Sequence, residues 1–222
     1  MTRGAQSFSQ RIKDELSRVP CAESCCRRVE LATAFWAAGK FSPQQVDLTT
    51  SHAGFAERIV RLAGGQYGIR PVVRSGRELI TIRISRPEAD QSVCRDIETI
   101  FRGDLSDIES TWPLCCRQAL LRALFLACGS VSEPALAYHM ELAVRQENAA
   151  AKILQDLLSQ MGFHSTQMLR DRQAVIYLRE GQYLADFLLL AGAHQSLLAF
   201  ESLRVEKEMR SNVNRVVNCD SA

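Results

Sequence analysis

Residues 25–41, CCRRVELATAFWAAGKF, are echoed by residues 115–131, CCRQALLRALFLACGSV, at a constant offset of 90 residues without a gap. Cys25/Cys115, Cys26/Cys116, Arg27/Arg117, Leu31/Leu121, Phe35/Phe125, Ala37/Ala127 and Gly39/Gly129 are identical pairs. A repeat this long implies two similar units, and two equivalent helices imply a pseudo-two-fold axis between them. Each copy reads as a helix stopped by a glycine, which suits a left-handed C-terminal cap. One stripe of each helix is small or β-branched: Val29, Thr33 and Ala37 in the first, Ala119, Ala123 and Ala127 in the second. These six are expected at a helix-pair interface, because small faces let backbones approach closely. The bulkier stripes, Leu31, Phe35 and Ala38 against Leu121, Phe125 and Cys128, are expected to rest on a sheet.

Working outward, each glycine is followed by a proline-containing turn, at Pro43 or Pro134, and an alternating run over 46–51 or 138–144. Helical stretches over 55–63 and 147–161 end at Gly64-Gly65 and Gly162. Strands follow over 69–74 and 79–84 in one half, and over 166–169 and 174–178 in the other. Helices over 88–101 and 182–190 complete an α+β plan, αββαββα twice, each half with one antiparallel four-stranded sheet and its helices on one side. Ahead of the repeat, Ser7 caps a helix carrying Phe8, Ile12, Leu16 and Val19 until Pro20 stops it. The expected divisions are an N-terminal helix (1–24), two halves (25–103 and 104–193) and a charge-mixed helical linker (194–222).

With 222 residues, 46% of them hydrophobic, the chain folds without staples. Its formal net charge of +2 excludes a histone-like polycation, so any DNA-binding face must come from local clustering. The amino terminus lacks the apolar run of a signal peptide, and the greasiest stretch, 183–193, is short and contains Asp186. A cytosolic location is expected, where the eight cysteines remain thiols. Cys21, Cys25 and Cys26, a C-x3-C with its neighbour, together with Cys115-Cys116 could bring several thiolates together near the dyad, but zinc knuckles use C-x2-C spacing and adjacent residues on a helix diverge by about 100°, so small core residues are the favoured reading. The four histidines lack paired-ligand spacing, and the glycine-rich 64–68 follows a helix and lacks a Lys-Ser or Lys-Thr, so it reads as a turn. No catalytic residue, metal or cofactor is assigned.

ATAFWAAG and RALFLACG resemble the paired motif of the LAGLIDADG homing endonucleases, in which two helices, each ending in a glycine, pack at the centre of a saddle-shaped double sheet. The resemblance implies a metal-holding acid just before each glycine. Here those positions are Ala38 and Cys128, a methyl and a soft thiol where hard oxygen is needed. Over about residues 7–220, SFSQRIKDELSRVP, CCRRVELATAF, LFLACGSVSEPALAYHMEL, VIYLREGQYLADFLLLAGAH and FESLRVEKEMRSNVNRVVNCDSA resemble, in order, the WhiA family. That resemblance implies a catalytically inert LAGLIDADG-like domain of a bacterial transcription regulator of sporulation, cell division and chromosome segregation, located in the bacterial cytoplasm and associated with the nucleoid. Nothing in the chain corresponds to the family's C-terminal helix-turn-helix.

Candidate DNA contacts are Arg74, Arg77, Arg83 and Arg86 on one strand pair, Arg170, Arg172 and Arg179 on the other, and Lys207, Arg210 and Arg215 on the terminal helix, since backbone binding scales with phosphates neutralised. The expected partners are DNA, bound weakly by this domain alone, and another transcription factor; no membrane or small-molecule substrate is expected. Two other readings stand beside this one: a nuclease using displaced acids, Asp47 and Glu141, or a scaffold that docks a protein.

Overall fold

The computed structural model describes residues 6–101, 111–145, 150–170 and 173–220. Helix α1 (Phe8–Arg18) opens on a capping box, in which the Ser7 hydroxyl accepts from the Gln10 amide and the Gln10 side chain accepts from the Ser7 amide. Its buried stripe of Phe8, Ile12 and Leu16 packs toward α3 (Ala53–Tyr67), α6 (Leu114–Cys128) and α9 (His194–Asp220). The repeated helices are α2 (Ser24–Ala38) and α6, and their mutual contact is the most extensive between any two elements. Both are buried almost all round, so neither is amphipathic in the manner of a surface helix.

Each helix leads directly into a sheet. The first contains β1 (Gly39–Phe41), β2 (Gln45–Thr50), β3 (Val72–Ser75) and β4 (Ile80–Ser85) in the order β1-β2-β4-β3. The second contains β5 (Gly129–Val131), β6 (Met140–Arg145), β7 (Thr166–Arg170) and β8 (Gln173–Leu178) in the order β5-β6-β8-β7. All pairings are antiparallel, and the registers correspond: Gly39 faces Leu48 as Gly129 faces Leu142. Residues alternate faces along a strand, so Val46, Leu48, Ile82 and Ile84, with Met140, Leu142, Val144, Ile176 and Leu178, enter the core on the helix side. Short α4 (Arg86–Asp90), then α5 (Val93–Phe101), α7 (Ala150–Gln160) and α8 (Gly181–Ala191) complete the elements, and among the described residues no helix is long and apolar enough to cross a membrane.

Three local expectations are corrected. The repeat glycines are not left-handed caps: Gly39 (φ −69°, ψ 142°) and Gly129 (φ −86°, ψ 147°) are extended, because each chain passes straight from helix into strand. Glycine is needed there for space, since a Cβ would stand 2.3 Å from the Phe35 carbonyl oxygen at one and 2.6 Å from Phe125 Cδ2 at the other. Helix α3 runs through Gly64-Gly65 to Tyr67 and ends instead at Gly68, which takes φ 69°; its buried Ile59, Leu62 and Ala63 hold the helix against the glycines' weak propensity. The single helix expected over 88–101 is broken near Ser92, whose hydroxyl bonds back to the Glu88 carbonyl before α5 restarts.

At mid-height on α2, Glu30 is fully buried and accepts from two arginines: Arg58 of α3, through Nε and through Nη2 at 2.9 Å, and Arg122 of α6, through Nε at 3.4 Å. Arg58 also donates to the Ser17 and Val19 carbonyls at 3.0 and 2.6 Å, and Arg122 donates to the Ala191 carbonyl at 2.9 Å. One carboxylate thus ties together α1, α2, α3, α6 and α8.

Candidate nucleic-acid interface

The faces of the two sheets that turn away from the core carry the candidate residues. In the first sheet, register places Lys40, Asp47, Thr49, Thr81, Arg83, Val72 and Arg74 on this outer face. In the second it holds Ser130, Glu141, Ala143, Gln173, Val175, Tyr177, Met168 and Arg170. The helix tips open onto the same side: Ala37, Ala38, Ala127 and Cys128, with Lys40, Asp47, Thr49, Ala143 and Gln173, line a cleft of about 360 Å³. Both outer faces therefore meet around the ends of α2 and α6.

The acids on this surface are engaged. Asp47 accepts from Arg83 Nε at 2.8 Å and Nη2 at 2.9 Å and from Gln45 at 2.9 Å, and the Arg83 hydrogen bonds hold its carboxyl below the usual range. Glu141, at the register position equivalent to Asp47, lies 3.4 Å from Arg170 and 3.7 Å from His139. Neither acid belongs to a group of three or more metal-ligating side chains among the described residues. At the tip itself, burial pushes the Cys128 thiol up to about 12, and its hydrogen bond goes to the Leu124 carbonyl. Lys13 of α1 places its ammonium 6.0 Å from the Phe125 ring centre; burial draws its pKa down against the opposing influence of Cys128. A hard divalent cation requires several anionic oxygen donors; on this lining the Asp47 carboxylate is held by Arg83, Thr49 and Gln173 offer only neutral oxygens, and the thiol and alanine methyls offer none, so the set does not fit one.

Among the described residues Arg74 on β3 and Arg77 in the following turn are exposed and make no ion pair. Arg83, Arg86 and Arg170 are paired with Asp47, Asp90 and Glu141. Arg179 lies 5.1 Å over the Tyr177 ring, and that stacking, with His139 on Tyr177 at 5.0 Å, covers the outer face of β8. Arg172 lies outside the described residues, as does the Arg215 side chain. On α9, Lys207 sits 4.7 Å over the Tyr138 ring and Arg210 pairs with Glu206 at 3.5 Å; neither lines the tip cleft. Val29, Thr33, Ala37, Ala119 and Ala123 are buried and Ala127 is half-buried beside the cleft. Sequence reasoning overlooked Lys13 and the Glu30 network; the visible signal was a charge at positions 30 and 122 within the mainly apolar runs 29–38 and 119–128.

Comparison with known proteins matches residues 117–210 to a family model described as the WhiA LAGLIDADG-like domain. The chain is 34% identical to the probable cell division protein WhiA of Desulforudis audaxviator and 32% identical to that of Ruminiclostridium cellulolyticum, in each case over 97% of this chain and 73% of the relative. Among solved structures it resembles full-length WhiA from Thermotoga maritima (TM-score 0.73, 20% identity, 97% of this chain and 72% of that one). It also resembles the homing endonuclease I-DmoI in complex with DNA and manganese (TM-score 0.54, 12% identity, 76% and 97%).

Proposed function

The chain belongs to the WhiA family, and we propose that it serves a bacterial transcription regulator of cell division and sporulation as a DNA-binding, non-enzymatic domain working at the nucleoid. The observation that carries this reading is the continuous surface formed by both outer sheet faces around the helix tips. On the described strand residues of the first sheet, Lys40, Arg74 and Arg83 outnumber Asp47, while the tip cleft has no donor set for a hydrolytic metal. A saddle of this kind suits a phosphate backbone, because each phosphate neutralised releases condensed counterions. The DNA held by the related endonuclease fold supports the same choice of partner.

Fluorescence anisotropy with a labelled duplex over a salt series tests it. The chain is expected to bind, with affinity falling as salt rises. Arg74→Ala and Arg77→Ala are each expected to weaken binding to all sequences alike and to lower the slope of log K against log salt by about 1. Binding that is absent at low salt, or unmoved by the double substitution, would count against this surface. A second reading, docking of another transcription factor, is favoured by exposed Val72, Val73, Met168 and Leu169 on the edge strands β3 and β7. Capture of a purified factor without DNA, lost on Val73→Lys with Leu169→Lys, would support it.

A further inference from the structure

At the end of the helix pair opposite the tips, the gapless repeat brings its two cysteine doublets together. Cys25 and Cys26 sit in the first turn of α2 and Cys115 and Cys116 in the first turn of α6, and all four sulfurs lie within 4.8 Å of one another. Cys25 Sγ and Cys26 Sγ are 3.8 Å apart. The reading of these residues as small core groups holds for buried Cys26 and Cys116, but Cys25 is exposed and Cys115 half-buried. Adjacent side chains do diverge on a helix, yet two helices side by side offer converging directions from both partners.

We propose that Cys25, Cys26, Cys115 and Cys116 form a tetrathiolate site for a single borderline-soft divalent cation, zinc first among them, stapling the N-terminal ends of the two pseudo-symmetric helices. A tetrahedral ion with metal–sulfur bonds of about 2.3 Å needs sulfurs about 3.8 Å apart, so the four atoms close on it by small rotamer shifts. They stand too close together to span a polynuclear iron–sulfur cluster. Four sulfur donors select zinc over magnesium or calcium, which take oxygen.

The helix ends favour thiolate, whereas burial of Cys26 and Cys116 opposes it. Both helix N-termini point their positive ends at the cluster, and neither Glu23 nor Pro113 supplies a side-chain cap to occupy the leading amides. Burial pushes Cys25 up, but hydrogen bonds from Cys116, Cys26 and Cys115 outweigh it together and bring it below its ordinary value; burial raises both Cys26 and Cys116. A bound cation displaces the thiol protons, so affinity rises with pH. Exposed Cys25 provides the access path.

Cobalt(II) titration of the reduced, chelator-treated chain tests the site. One equivalent is expected to bind with the intense visible bands of tetrahedral thiolate coordination, to be displaced by one equivalent of zinc, and to raise the melting temperature on the order of 10 °C at saturating metal. Cys25→Ser with Cys115→Ser, the two most accessible members, is expected to abolish the bands while keeping native circular dichroism, and Cys94→Ser to leave them intact. Absence of the tetrahedral spectrum, a stoichiometry other than one, or a full signal in the double variant would overturn the assignment.

Discussion

Glu30→Ala is expected to destabilise the fold by about 3–5 kcal/mol, measured as a fall in the urea midpoint at constant slope. The substitution leaves Arg58 and Arg122 buried with no carboxylate, and an uncompensated interior charge costs far more than a truncated surface pair. The loss also propagates through geometry, because Arg58 holds the C-terminal carbonyls of α1 and Arg122 holds that of Ala191. Replacing all three charged residues with apolar side chains of matched volume is expected to cost much less than Glu30→Ala alone, since the desolvation cost vanishes with the charges. A fall below about 1 kcal/mol for Glu30→Ala would show that water reaches the pair in solution.

Gly39→Ala and Gly129→Ala are expected to cost 1–3 kcal/mol each or more, because the new methyl has nowhere to go. At Gly39 it meets the Phe35 carbonyl oxygen at 2.3 Å, and at Gly129 it meets Phe125 Cδ2, Cα and O between 2.6 and 2.8 Å. Much of what it strikes is backbone, so relief requires moving the helix end relative to its strand. Asparagine separates this cause from a conformational one. It tolerates the left-handed region, so Gly68→Asn, at φ 69° with open space around it, should be mild. Gly39→Asn should be as damaging as alanine, and comparable costs at positions 39 and 68 would refute the steric account.

The duplication was legible because its 90-residue offset needs no gap, and the strand that became β4 with its buried face because Ile80, Ile82 and Ile84 alternate with Thr81 and Arg83. The role of the repeat glycines was not, because cap statistics describe a helix followed by a turn, whereas these helices enter a strand at once. The Glu30 network was hidden by broken symmetry: Glu30 aligns with Leu120 and Arg122 with Ala32, so a reading that prizes identical positions passes over both. The arginines could be read as a set of cations but not as paired or free, since Asp47 and Arg83 are far apart in sequence and meet only through the β2–β4 register. Convergence of the cysteine doublets was legible from the repeat but was set aside on knuckle spacing, which describes ligands from one chain segment and not from two helices packed side by side.

The proposal of a DNA-binding saddle without hydrolytic chemistry is tested most directly by following one labelled duplex in magnesium, and then manganese, by anisotropy and by denaturing gel together. The expected result is a bound and uncut duplex at every metal concentration. Metal-dependent strand scission that disappears on Asp47→Ala or Glu141→Ala would contradict it.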